Sequence, residues 1–411
     1  MNWEAITTDK NVLTKIEEIS KIVSTNTHSQ KDPIESIFGG YAGNTLYMYY
    51  ASVFHQNTDY RTQADEMLES LVGQLSFKQY SYCNGLAGVG WLLCHLQTNQ
   101  LIDPQDNIFE EVDSLLVQDM LKQLKVGKYD YLHEGLGLTH YLLHQLPNPT
   151  IQEGLEEVVE LLMQQNKATT TEDAYWYAVL NPLRKPDEAT HIGVNLSLSH
   201  GLTSIAFILA ELYKKDIATE TTKNLLLKLL HYIWSCQLDT SFACCFPNVI
   251  EENVPPTHSR LAWCYGDVGM GIALWQVAKM IGHEGYQAKA IDVLLHSTKR
   301  RNIVENYVLD AGLCHGSAGL LHIYNRMYQH TGIEAFKETA LYWLQVTLDK
   351  ATFEDGLAGF KTYYASAPTN WRNEVGILEG VAGIGLVLMA ATSTIEPAWD
   401  EMLLLSSSLR Q

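Results

Sequence analysis

Two kinds of helix-length segment alternate along the chain. In the first kind, which includes "NVLTKIEEISKIV", "EEVDSLLVQDMLKQL", "LEEVVELLMQQ", "TKNLLLKLLHYIW" and "EAFKETALYWLQVTL", apolar residues recur at three- and four-residue steps. That spacing predicts helices with one buried face. The second kind, as in "WLLCHL", "YLLHQL", "IAFILAEL" and "GIALWQVAKM", is more uniformly apolar and follows a short glycine-bearing sequence. The leading sequences are "FGGYAG" (38–43), "CNGLAG" (83–88), "HEGLG" (133–137), "SHGLTS" (199–204), "CYGDVG" (264–269), "CHGSAG" (314–319) and "LEGVAG" (378–383). The alternation runs seven times, and no comparable strand pattern accompanies it. A repeat of this size predicts helical hairpins that bury their faces against their neighbours. An open solenoid needs polar caps, yet the seventh repeat, "LEGVAGIGLVLMAA", is as apolar as the middle ones. The expectation is therefore an all-α chain closed on itself: an α/α toroid of seven helical-hairpin repeats, forming one domain over residues 1–411. Apolar helices would form the inner layer and amphipathic ones the outer.

The glycines give the repeats a common register. Aligned on Gly43, Gly88, Gly137, Ser204, Gly269, Gly319 and Gly383, the chain has Cys83, Cys264 and Cys314 five positions earlier. His133, His200 and His315 stand four positions earlier. A glycine three residues before another small residue allows a sharp turn and close backbone approach at the start of a helix. Residues just before the glycines should then collect at one mouth of the ring.

Composition narrows the setting. The 411 residues are 46% hydrophobic and 18% charged, which suits an extensive core. A net charge of −19, with no basic stripe, speaks against a nucleic-acid partner. The start "MNWEAITTDK" lacks the basic and apolar regions of a signal peptide. "GILEGVAGIGLVLMAA" is too short and glycine-rich to span a bilayer. A cytoplasmic protein with seven reduced cysteines is expected.

Reduced thiols are available as ligands. Cys264 and Cys314 lie in adjacent repeats, and with His315 they supply two thiolates and an imidazole. That is the donor set of a catalytic zinc with an open fourth position. The alternative is that they are small buried hydrophobes, the reading adopted for Cys94, Cys236, Cys244 and Cys245. Cys83 is the repeat-equivalent candidate for a fourth ligand. Next on the same arc come His200, with Asp130 one repeat earlier, and Arg260 and Tyr265 flanking Cys264. A carboxylate, an imidazole and a guanidinium beside a metal read as catalytic machinery; a helix cap or core packing is the bland alternative for His200. His133 reads as a supporting or merely packed residue, and Glu379 as a structural cap ahead of a hydrogen-bond partner for a ligand.

"SHG", "RLAWCYG" and "CHGSAG", in this order, resemble the lanthionine synthetase C family of lanthipeptide cyclases, and the resemblance covers essentially the whole chain. It implies an α/α toroid with one zinc per chain on Cys264, Cys314 and His315. Asp130, His200 and Arg260 match the family's active-site positions, with Trp263 and Tyr265 beside them. Two departures stand out: Ser204 replaces a glycine, and Glu134 takes the first glycine's place in the third repeat. The implied reaction is Michael addition of peptide cysteines to dehydroalanine or dehydrobutyrine, giving thioether rings. The implied partners are a dehydrated precursor peptide with its leader and a lanthipeptide dehydratase. Inserted peptide-binding segments of the family would fall near 100–135 and 165–195. A non-catalytic zinc-bearing thiol or peptide binder of the same family is the alternative. A protein prenyltransferase-like enzyme ranks lower, because no Lys and Arg cluster at the repeat turns to hold a diphosphate. A glycosidase would need paired carboxylates and no cysteines.

Overall fold

The computed structural model describes residues 3–26, 34–103, 109–180, 189–365 and 370–408. Among these, the chain order is α1 (Lys10–Thr25), α2 (Tyr41–His55), α3 (Thr58–Gly73), α4 (Leu86–Thr98), α5 (Glu110–Lys125), α6 (Gly135–Leu143) and α7 (Pro149–Gln165). Then follow β1 (Ala178–Val179), β2 (Ile192–Asn195), α8 (Leu202–Lys214), α9 (Thr219–Ser235), β3 (Val249–Ile250), α10 (Asp267–Met280) and α11 (Glu284–Ser297). The last elements are α12 (Ser317–Thr331), α13 (Glu334–Asp349), β4 (Thr362–Tyr363), β5 (Trp371–Arg372), α14 (Val381–Thr392) and a 3₁₀ turn, Ala398–Leu403. Seven amphipathic helices thus alternate with seven apolar ones. The strands are short: β1, β2 and β3 pair antiparallel in that order, and β4 pairs with β5.

Burial follows the two patterns. The outer helix α13 buries Phe336, Thr339, Ala340, Trp343, Leu344 and Thr347, one face at helical spacing. The inner helix α10 is buried continuously from Asp267 to Ala278. Among the described residues, side-chain caps occur only on outer helices, four of the seven. Outer helices α1, α3 and α7 start at Asp9, Asn57 and Asn148, whose side chains accept from the first-turn amides. None of the seven inner helices has a side-chain cap; six begin after a glycine and α6 after Glu134.

Backbone supplies the missing caps. The amides of Leu86, Ser317 and Val381 donate to the carbonyls of Gln79, Asp310 and Glu374, seven residues back. This folded-back turn brings backbone against backbone, which is why the small residues recur. A Cβ on Gly269 would lie 1.8 Å from the Trp263 carbonyl oxygen, and one on Gly266 1.9 Å from that of Arg260. Gly266 also has φ +87°, a conformation that side chains resist. Ser204 occupies the equivalent place in the fourth repeat, and its hydroxyl donates to the Gly201 carbonyl.

The chain forms two compact units, Met1–Gln105 with Arg301–Trp399, and Asp106–Arg300 with Asp400–Gln411. In the first unit α14 packs on α1, α2 and α12. There the amides of Ile377 and Leu378 donate to the Phe38 carbonyl, at 2.7 and 2.9 Å. Trp3 Nε1 donates to the Ala390 carbonyl, and the amides of Ile6 and Thr7 donate to that of Ala391. The seventh repeat is thereby joined to the first. In the second unit α8 packs on α6, α9 and α10, and α5 on α6 and α7.

Of the segments singled out as insertions, residues 104–108 and 181–188 lie outside the described residues. The described part of the first is mainly α5, a regular outer helix, while the second carries β1 and β2. Among the described residues, no helix is long and apolar enough to cross a membrane.

Candidate active site

The turns before α6, α8 and α10 carry the chemistry of the second unit. Asp130 precedes α6, and its Oδ1 accepts from the amides of Leu132 and His133 at 2.8 and 2.9 Å. This fixes the carboxylate and leaves Oδ2 facing His200 Nδ1 at 2.5 Å. Burial alone would raise the Asp130 carboxyl, but the bond and charge of His200 outweigh it and hold the group below its ordinary value. The reciprocal effect acts on His200. Burial disfavours its charged form, yet Asp130, helped by Cys264 and Glu134, raises its proton affinity overall. With Nδ1 held by Asp130, Nε2 is the ring atom through which His200 can exchange a proton.

Neighbours complete this group. The His133 ring lies nearly parallel to His200, with centroids 6.0 Å apart. Glu134 Oε2 accepts from the Asp130 amide, and burial pushes its carboxyl upward. Tyr265 lies 6.1 Å from His200 between ring centroids, and its hydroxyl accepts from Asn195 Nδ2 at 3.2 Å. Burial raises the Tyr265 phenol. Cys264 is almost fully buried, and its carbonyl accepts from the Ser199 amide and hydroxyl. That pairing ties the His200 turn to the Cys264 turn. Arg260 stands at the start of the Cys264 turn, its carbonyl packed against Gly266.

The first unit carries the other two expected ligands. Cys314 and His315 precede α12, and the Cys314 amide donates to the Leu378 carbonyl at 2.8 Å. His315 Nε2 lies 3.4 Å from Asp310 Oδ2. Burial would raise the Asp310 carboxyl, but His315 and the amides of Tyr363 and Gly312 hold it low. A carboxylate on one imidazole nitrogen leaves the other to ligate, the usual arrangement of a metal-binding histidine. The donor set therefore suits zinc: two thiols and an imidazole oriented by a buried acid.

The other expected residues divide. Cys83 sits at the equivalent turn of the second repeat, where its thiol donates to Asn84 Oδ1. It lines a cavity of about 280 Å³ with Tyr364, Arg372, Glu374 and Glu379. Glu379 accepts a short bond from the Tyr364 hydroxyl. Cys236 donates to the Tyr232 carbonyl, and burial pushes its thiol up to about 11. Cys245, Asp267 and His296 each bring a donor atom within 4.8 Å of the others. Both Asp267 oxygens, however, accept from the Cys245 amide, with further bonds from Phe246 and the Arg300 guanidinium. Burial pushes the Cys245 thiol up to about 12 and raises the Asp267 carboxyl too, and the Asp267 oxygens are already engaged by backbone and Arg300.

Asn195 and Asp310 escaped the sequence reading. Both stand nine residues before the aligned small residue, as do Arg260 and Glu374. That shared position, polar in six consecutive repeats from Gln79 to Glu374, is the signal that could have found them.

Residues 35–404 match the family model of the lanthionine synthetase C-like proteins. The chain belongs to that family. Among curated proteins it is similar to the nisin biosynthesis protein NisC of Lactococcus lactis subsp. lactis, at 22% identity over 370 residues, spanning 84% of this chain and 83% of the relative. Among solved structures it is similar to nisin cyclase, with a TM-score of 0.73 at 18% identity, covering 97% of this chain and 98% of the other. That likeness, with the helical content, identifies the fold class as the α/α toroid expected from the repeats.

Proposed function

We propose that the protein is a zinc-dependent lanthipeptide cyclase. The observation that carries this reading is the Asp130–His200 pair, joined by backbone to the turn that carries Cys264. In this reading Cys264, Cys314 and His315 would hold one zinc, and the oriented imidazole of His315 supports that role. Bound there, zinc would keep a substrate cysteine in its nucleophilic thiolate form at neutral pH.

The chain's own residues then have these tasks. The cysteine sulfur adds to the β-carbon of a dehydroalanine or dehydrobutyrine, forming the C–S bond as the carbon–carbon π bond breaks. The resulting enolate takes one proton at its α-carbon, and the thiol's own proton leaves, so the reaction is an isomerisation of the peptide. His200 is the proton carrier, and Asp130 holds its tautomer and stabilises its charged form. Arg260 and Tyr265 flank Cys264 and would orient the acceptor or stabilise the enolate oxygen. The substrate is a dehydrated precursor peptide bearing its leader, delivered by a dehydratase.

The test is mass spectrometry of a dehydrated precursor after incubation with the zinc-loaded protein and a thiol-alkylating reagent. Loss of alkylatable cysteines without change of peptide mass is expected. Full alkylation of a peptide that the protein binds would overturn the cyclase and leave a zinc-bearing peptide binder.

A further inference from the structure

The expected site residues account for the turns but not for what holds them in place. The segment Asp400–Ser408 belongs to the second unit, where Met402, Leu403 and Leu404 are fully buried. Its consecutive carbonyls meet two aromatic side chains. Tyr131 donates its hydroxyl to the Met402 carbonyl at 2.9 Å, and Trp263 Nε1 donates to the Leu403 carbonyl at 2.8 Å. Both rings are fully buried. Tyr131 directly follows Asp130, and Trp263 directly precedes Cys264.

The two aromatics share one repeat position, six residues before Gly137 and Gly269 respectively. In the repeat between them that position is Leu198, two residues before His200, with no polar group to offer. The segment is anchored further along. Gln276 Nε2 on α10 donates to the Leu405 carbonyl at 2.7 Å. The Ser407 hydroxyl donates to Glu211 Oε1 on α8, and the other Glu211 oxygen holds His140 on α6 at 2.9 Å. All three inner helices of this unit are therefore tied to one strap.

From this geometry we infer that Asp400–Ser408 is a positioning element, and that Tyr131 and Trp263 are positioning residues that set the Asp130 and Cys264 turns through it. The inference deepens the cyclase reading and rests on it for its kinetic test. A buried N–H or O–H aimed at a fixed carbonyl defines a side-chain direction as well as contributing energy. The backbone of the neighbouring site residue follows that direction. Loss of one bond should loosen the site without unfolding the protein, since each ring stays in the core.

The experiment uses the full-length protein with Trp263→Phe and Tyr131→Phe, which keep the rings and remove the donors. Tyr82→Phe is the control, at the same repeat position in the first unit. With zinc and a dehydrated precursor, both variants should lower kcat about tenfold, the scale for losing a supporting partner of a site, while KM stays near that of the parent. With cobalt in place of zinc, Trp263→Phe should shift the thiolate-to-metal absorption band, while Tyr131→Phe and Tyr82→Phe leave it unchanged. Gln276→Leu frees Leu405 and alters no residue of either turn; it should give the same kinetic loss in smaller measure. Parental kcat and an unshifted cobalt band in Trp263→Phe would overturn the inference even with a fully active parent. A parent that makes no rings would sink the cyclase reading instead. The cobalt band of Trp263→Phe would then decide the positioning role alone: shifted supports it, unshifted ends it.

Discussion

His200 is distinguished among the histidines near it by a carboxylate that is itself pinned. Asp130 spends one oxygen on two backbone amides and the other on His200, so the imidazole cannot turn without breaking a network. His200→Ala should therefore keep metal and fold while slowing ring formation by about 10²- to 10⁴-fold, the usual worth of one acid–base group. Metal analysis and the alkylation assay on one preparation check both halves; a variant that has lost its zinc would make His200 a ligand. Asp130→Asn removes the charge that raises His200's proton affinity. If the imidazolium is the active form, activity falls as pH rises through the His200 pKa, and this limb should move to lower pH in the variant. A pH–rate profile reads the shift. Cys314→Ala should abolish the zinc outright, measured as metal per chain. Retained full occupancy would transfer the role to another thiol, Cys83 first.

At the scale of elements, the working part is the turn before each inner helix. Gly269→Ala would drive a Cβ to 1.8 Å from the Trp263 carbonyl. The forced shift should cost about 1–3 kcal/mol and displace Cys264, seen as a lower thermal midpoint together with weakened zinc binding. Ser204 shows that the position tolerates a small side chain in the fourth repeat, so Gly269→Ser tests whether that tolerance is local. The turns were legible in the sequence because backbone contact forbids a Cβ, and glycine records that prohibition in letters. So were Cys264, Cys314, His315 and His200 as candidates, since few residue types bring such chemistry to a repeated register. Asn195 and Asp310 were harder to read: their repeat position is polar elsewhere too, but its side chains do different work, Asn195 on Tyr265 and Asp310 on His315. The strap was hidden for a related reason. Its contacts to Tyr131 and Trp263 are made by main-chain carbonyls, which leave no mark on the residues Met402 and Leu403.

On the scale of the whole molecule, the buried charges of the second unit predict a pH dependence. Burial pushes the Glu401 carboxyl up to about 7, against an ordinary 4.5. Burial would lower His140, but Glu211 outweighs it, and the net shift is upward. Both groups hold protons more tightly when folded, so the stability they contribute is full in acid and lost as pH rises. For Glu401 the window runs from about 4.5 to about 7. Its span corresponds to about 3 kcal/mol. Glu401→Gln should thus match the parent near the acid end of that window and exceed it in stability above pH 7, by denaturant unfolding. A difference independent of pH would remove Glu401 from this account.

The bond from Trp3 to Ala390 spans nearly the whole chain, and the unit it closes draws on both Met1–Gln105 and Arg301–Trp399. Synthesis is directional, so α1 and α2 emerge early with apolar surfaces whose partner α14 does not yet exist. Translation of the intervening residues 106–300 takes roughly 10–40 s at ordinary ribosomal rates. Throughout that interval the nascent chain carries an unfinished core. Slow elongation or a premature stop after residue 300 would lengthen the exposure, and holding chaperones, more than any feature of the finished site, would then govern how much active protein a cell obtains.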